Sequence, residues 1–133
     1  MDTNLLGIII NKLPFSLTAS QKQSLDEILS DVQKPIPMNR LLQGDVGSGK
    51  TVIAAIVAII AAYNNKQSAF MVPTEVLAKQ HYKTIIKLFS HLNLAVGLLT
   101  NSEARFFYGE NLETKIKKQD FIKKVINGDL KII

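Results

Sequence analysis

The chain has no cysteine and no tryptophan among its 133 residues, and only four prolines. Without thiols there is neither a disulfide framework nor a thiolate metal site, and a reducing cytoplasm is the compartment expected. Long hydrophobic runs are missing too. The longest, Val52 to Tyr63, falls well short of the roughly 20 residues that a membrane helix needs. The shorter "LLGIII" lacks a basic leader and a small-residue cleavage site, so no secretory signal is read there. What is present is a hydrophobic fraction of 47% with 20% charged residues, the balance of a folded globular segment rather than a disordered one. The net charge of +5 admits an anionic partner, nucleic acid foremost, but a basic balance also occurs on ordinary solvated surfaces. At this length the chain can build a core yet is short for a complete nucleotide-driven motor.

Hydrophobic periodicity and punctuation predict strands and helices in alternation. Thr18-Ala19-Ser20-Gln21 opens a helix carrying Leu25, Ile28, Leu29 and Val32 on one face, which ends before Pro35 and Pro37. A strand is expected over Arg40 to Gln43, then a helix from about Lys50 to Tyr63 that is apolar on nearly every face and therefore buried. "NNKQ" ends it. "SAFMV" reads as a second strand. Thr74 caps a third helix with Leu77, Ile85 and Leu88 on one side, and "LAVGLL" reads as a third strand. Glu113 to Asn127 alternates Lys with apolar residues, stops at Asn127-Gly128, and is followed by the apolar "LKII", a fourth strand. Connections of this length indicate parallel βαβ units and an α/β sheet covered on both faces. "TNSEARFFYGENLET" reads as a loop whose aromatic residues serve either as a hydrophobic anchor or as a platform for stacked bases.

The most specific feature is "LLQGDVGSGKTVIAAIV". Gly44-x-x-x-x-Gly49-Lys50-Thr51 is the nucleotide phosphate-binding pattern, placed after a predicted strand and at the start of a predicted helix, as its chemistry requires. Glycines at 44, 47 and 49 let backbone N–H groups close around an anion. Gly44, Asp45, Val46, Gly47, Ser48 and Gly49 are the nucleotide-binding loop; backbone amides from about Val46 to Thr51 would cradle phosphates, and the helix N-terminus would add its partial positive charge. Lys50 would reach the outer phosphates and the Thr51 hydroxyl would bind Mg²⁺. The competing reading is a glycine-rich turn entering a helix, with Lys50 merely solvated.

The flanking segments narrow the choice. "MNRLLQGDVGSGKT", followed by "AFMVPTEVLAKQHY", resembles the first and second conserved motifs of RecG-type ATP-dependent DNA helicases of superfamily 2, and the upstream "LPFSLTASQ" resembles their adenine-recognition segment. The resemblance runs from about Leu13 to the end of the chain. It implies a P-loop NTPase (RecA-like) parallel sheet with helices on both faces, truncated here. It also implies ATP and Mg²⁺ as cofactors, branched or single-stranded DNA as partner, and a role in DNA repair and recombination. Residues 1–12 would be the end of an upstream linker or helix, and 13–133 a partial ATP-binding domain. Phe15, Thr18 and Gln21 match the adenine-recognition segment, although Thr18-x-x-Gln21 is also a capping box in which both side chains satisfy helix amides. Pro73, Thr74, Glu75 and Gln80, with His81 beside them, match the segment that in this family lies along the DNA strand. Thr74 has a plain N-cap as its alternative, and His81 that of a partly buried helix residue.

Two departures accompany the match. The family's DNA-binding wedge precedes the motor, whereas a dozen residues precede Leu13 here. "GLLT" followed by Asn101-Ser102 differs from the usual Thr-Gly-Ser, and the aromatic insertion after it is longer than expected, which puts DNA contact by that loop in doubt. The acidic Walker B motif and the arginine that ATP hydrolysis needs are expected beyond Ile133. Asp45 belongs to the phosphate loop and Asp129 stands at the wrong end of its strand to replace them. On its own the chain is expected to bind ATP weakly and to turn it over negligibly. The alternatives are another superfamily 2 translocase such as a transcription-repair coupling factor, a non-catalytic remnant of a truncated helicase, or a small-molecule kinase.

Overall fold

The computed structural model describes residues 3–109 and 112–133, and Thr3 by its backbone alone. The chain divides after Ile60 into two compact units.

The first unit begins with helix α1 (Thr3–Asn11) and helix α2 (Ala19–Val32). The α2 start is a complete capping box: the Thr18 hydroxyl accepts from the Gln21 amide at 3.2 Å while the Thr18 amide donates to Gln21 Oε1 at 2.8 Å. Leu25, Ile28 and Leu29 are buried as their spacing predicts. Val32, expected with them, is 46% exposed, because it occupies the final residue of the helix, beyond the buried stripe. The strand expected over Arg40 to Gln43 is not formed among the described residues: this stretch is unpaired and Leu41 is 79% exposed. Apolar sequence predicts extension, but a strand exists only when a neighbour accepts its hydrogen bonds. Arg40 is held instead by α2, its guanidinium donating to Asp31 at 3.0 Å and to Glu27 at 2.7 Å. The phosphate-loop segment then leads into helix α3 (Lys50–Tyr63), whose Ile53, Ala55, Ile56, Ala58, Ile59 and Ile60 are buried as expected.

In the second unit, Asn65 at φ 57° closes α3, with Lys66 N–H reaching back to the Ala61 carbonyl at 2.9 Å, the hydrogen-bonded stop that "NNKQ" suggested. Thr74 caps helix α4 (Glu75–Phe89) through its hydroxyl and the Leu77 amide. The buried stripe of α4 is Tyr82, Ile85 and Phe89, spaced at i, i+3 and i+7. Leu77, in the first turn, stays 36% exposed and Leu88 only half-buried, which corrects the face expected for this helix.

Strand β1 (Ala95–Leu99) pairs antiparallel with β2 (Ala104–Tyr108), which pairs antiparallel with β3 (Glu113–Ile116). Helix α5 (Lys118–Ile126) follows and ends, as predicted, at Gly128 with φ +77°. Parallel pairing is narrower than expected: Ile132 bridges Ser68 on one side and Val96 on the other, so "LKII" lies between the "SAFMV" segment and β1. Phe70 N–H and Ile133 N–H extend that pairing at 2.7 and 2.9 Å. Side-chain alternation then covers both sheet faces. Ala95, Ala104 and Leu130 pack with Phe121 of α5, whereas Val96 and Leu98 line a cavity of ≈ 70 Å³ together with Tyr82 and Ile85 of α4.

The β2–β3 hairpin falls where a loop was expected, and β3 takes the first residues of the Glu113 to Asn127 segment, so the helix begins only at Lys118. Two adjacent phenylalanines break the alternation that marks a strand, although the Gly109 after them is a turn signal. Consecutive strand residues point to opposite faces, so Phe106 packs on the α5 cluster while Phe107 is buried with only 4% exposure. The anchor reading therefore holds for the two phenylalanines but not for Tyr108, which is exposed; Phe106 also carries the Lys124 ammonium 5.0 Å from its centre. Glu110 and Asn111 of that stretch lie outside the described residues.

Candidate functional site

In the first unit the phosphate-pattern residues form one turn ahead of α3. Gly47 and Gly49 have φ of +79° and +85°, the left-handed region that a side chain resists, and these two reversals fold residues 45–48 into a turn closed by Ser48 N–H to the Asp45 carbonyl at 3.0 Å. Val46 stands fully exposed at its tip. Lys50, the first residue of α3, folds back over the turn: Nζ donates to the Gly44 carbonyl at 2.6 Å, to the Asp45 carbonyl at 2.7 Å and to Ser48 Oγ at 3.3 Å. Every partner of this ammonium is an oxygen. An anionic phosphate oxygen would replace neutral carbonyls with a stronger, charge-assisted acceptor, so the donor set fits a phosphate group. Thr51 is half-buried in the first turn of α3, and the Asp45 residue is exposed.

Gln21 joins the capping box to this turn. Its Oε1 accepts from Thr18 and its Nε2 donates to the Ser48 carbonyl at 2.7 Å. Gly49 is the close neighbour: a Cβ there would overlap Gln21 Nε2. Phe15, 43% exposed, borders a cavity of ≈ 360 Å³ with Ile10, Leu13, Pro14, Leu17 and Lys22. All the residues assigned to nucleotide on sequence grounds thus lie in this unit, and Thr18, Gln21, Ser48 and Lys50 form one connected set of hydrogen bonds. Among the described residues no cluster of three or more His, Asp or Glu side chains could hold a metal ion, so at this turn a Mg²⁺ would draw on hydroxyl oxygen, that of Thr51 in the phosphate-binding pattern, with Ser48 Oγ engaged by Lys50.

The residues matched to the DNA track lie in the second unit, around the start of α4. Pro73, Thr74 and Gln80 are exposed; His81 is half-buried and borders the cavity beneath α4. Glu75 does something the sequence did not disclose. Its Oε1 accepts both from Ser102 N–H at 2.8 Å and from Ser102 Oγ at 2.7 Å, tying the β1–β2 turn to α4. The Thr100 hydroxyl beside it, then the Ser102 hydroxyl and amide, lower the Glu75 carboxyl from 4.5 to about 2. One helical turn on, Lys79 pairs at 3.2 Å with Glu103, whose carboxylate also holds Arg105 of β2. Arg105, before Lys79, brings the Glu103 carboxyl down to about 2. No spacing rule could have found the Glu75–Ser102 and Lys79–Glu103 partners, because each pair is more than twenty positions apart.

The sequence pattern of the DEAD/DEAH box helicases matches residues 18–126, from the α2 cap to the end of α5. The chain belongs to the DEAD/DEAH box helicase family. Among named proteins it is similar to the ATP-dependent DNA helicase RecG of Aquifex aeolicus, with 47% identity over 102 residues, 77% of this chain and 13% of that protein. The RecG of Staphylococcus epidermidis is 52% identical over 101 residues, 76% of this chain and 15% of that protein. Among solved structures, RecG bound to a three-way DNA junction superposes with a TM-score of 0.81 at 38% identity, over 99% of this chain and 17% of the other. The family and the α/β class agree with the reading of the three motif segments, and this helicase-family chain spans about an eighth of the Aquifex relative's length. Among the described residues no helix is long and apolar enough to cross a membrane.

Proposed function

We propose that the chain is the ATP-binding front part of the first motor domain of an ATP-dependent DNA helicase resembling RecG, with residues 13–133 a partial RecA-like domain and residues 1–12 the end of a preceding linker or helix. The observation that carries this reading is Lys50, folded over a turn shaped by two left-handed glycines and surrounded by oxygen partners. ATP, when bound with Mg²⁺, supplies the phosphoanhydride whose hydrolysis drives movement on DNA. This chain's residues bind and orient. Lys50 would exchange the Gly44 and Asp45 carbonyls for the outer phosphates, and the turn amides with the α3 N-terminus would hold the phosphates between them. The Thr51 hydroxyl would give Mg²⁺ one ligand, and Phe15, Thr18 and Gln21 would border the adenine. In the second unit, Thr74 and Gln80 would touch the DNA backbone, a contact that positions a strand without reading its sequence.

The test is Lys50→Ala in the complete polypeptide that carries these residues. Lys50 is the side chain reaching over the turn, so DNA-stimulated ATP turnover should fall by about two orders of magnitude or more while the folded state survives. Turnover within a few-fold of the unaltered protein would sink the assignment.

A further inference from the structure

Glu75 stands at the end of α4 that the proposed function gives to nucleic acid, and a carboxylate is the wrong charge for a phosphate backbone. Its geometry resolves the conflict. Oε1 faces Ser102, accepting both the amide and the hydroxyl of that residue. The turn it grips is fastened elsewhere as well: Thr100 and Glu103 exchange backbone and hydroxyl bonds of 2.9 and 3.2 Å, Lys79 of α4 pairs with Glu103, and the Lys118 ammonium at the start of α5 donates to the Asn101 carbonyl. The carboxylate keeps its charge, but Oε1 is occupied by the two donors of Ser102. Exposed on these two segments are Thr74, Asn101 and Ser102, small polar residues of the kind that contact sugar and phosphate, beside the apolar Val76, Leu77 and Leu99.

We propose that Glu75 is a positioning residue: it fixes the Thr100–Ser102 turn against the first turn of α4, so that Thr74, Asn101 and Ser102 are held in one arrangement for a nucleic-acid backbone. The inference rests on the reading of the α4 start as part of the DNA track. It gives the β1–β2 turn a place in that track despite its departure from Thr-Gly-Ser, because the anchoring hydrogen bonds use Ser102, not the residue that differs.

The sign of a charge-removing substitution tests it. A solvated carboxylate near DNA only repels, so its loss would tighten binding. A positioning carboxylate, when lost, lets the turn drift, and binding weakens although repulsion has been removed. Affinity of the complete polypeptide for a labelled single-stranded oligonucleotide is measured by anisotropy for Glu75→Gln, Glu75→Ala, Ser102→Ala and the Glu75→Ala/Ser102→Ala pair, with melting curves alongside. Expected is a weakening of about threefold to tenfold for Glu75→Ala, a smaller one for the near-isosteric Glu75→Gln, and a pair no worse than the poorer single variant. Unchanged or tighter binding by Glu75→Ala at an unaltered melting temperature would overturn the proposal and leave the DNA reading intact. An unaltered protein that fails to bind the oligonucleotide at all would overturn the DNA reading itself.

Discussion

Gly47 and Gly49 carry nearly the same left-handed backbone, φ +79° and +85°, but differ in surroundings: a Cβ at Gly47 meets nothing within 4 Å, whereas one at Gly49 overlaps the Gln21 amide. Replacing each with alanine therefore separates strain from contact. Both variants incur the left-handed penalty of roughly 1–2 kcal/mol, offset in both by about 0.4–1 kcal/mol from the stiffer unfolded chain. Gly49→Ala must in addition push aside the tip of a flexible glutamine. That movement breaks the bond from Gln21 Nε2 to the Ser48 carbonyl, worth about 0.5–1.5 kcal/mol net. The excess of Gly49→Ala over Gly47→Ala should thus equal that bond, about 2–6 °C in melting temperature for a chain of this size. In a Gln21→Ala background the bond is already gone and the excess should vanish. Thermal melts of the six proteins in this cycle decide it. Equal destabilisation by the two glycine replacements with Gln21 present, or an excess that survives Gln21→Ala, would show that the glutamine does not brace the turn.

Two further outcomes follow from the second unit. Gly97→Ala would bring a methyl to 2.7 Å from Phe121 Cζ and 2.9 Å from Leu130 Cδ1, both side chains fully buried, so overpacking should cost about 1–3 kcal/mol in denaturant unfolding, and an unchanged midpoint would refute the close approach. Glu75 and Glu103 have carboxyl groups held below their ordinary 4.5, so the stability they contribute is fully present above that value and is lost as pH falls from 4.5 through about 2. Hydrogen exchange at the Ser102 amide should accelerate, relative to the intrinsic rate, as pH falls through that window and below it, and protection undiminished well below about pH 2 would show that the carboxylate is not its partner.

The parts of this chain legible in its sequence are those fixed by local chemistry. Thr18 with Gln21, Thr74, "NNKQ" and Asn127-Gly128 mark helix ends because caps are made by residues within a few positions of one another, and the phosphate turn is legible because its two reversals demand glycine. Strands were less legible because their partners are remote. Arg40 to Gln43 has a strand's composition but no paired strand among the described residues, whereas "ARFFY" has a broken alternation yet gains neighbours on both sides, β1 and β3. The same distance hid the Glu75–Ser102 and Lys79–Glu103 ties, which depend on the hairpin having formed.

Gln21 shows that two readings of one residue need not compete. As a capping-box member it uses Oε1 on the Thr18 amide, and as a brace it uses one N–H of Nε2 on the Ser48 carbonyl. The edge of an adenine offers a donor and an acceptor, so the bidentate pairing that an amide can make requires its oxygen as well as an N–H. Oε1 has two lone pairs and Nε2 two hydrogens, and the hydrogen bonds within the protein use one of each, so under the proposed function the second lone pair and the second hydrogen remain for adenine. Nucleotide recognition then competes with neither the cap on Thr18 nor the brace on Ser48, and the turn carrying Lys50 stays supported while adenine is read.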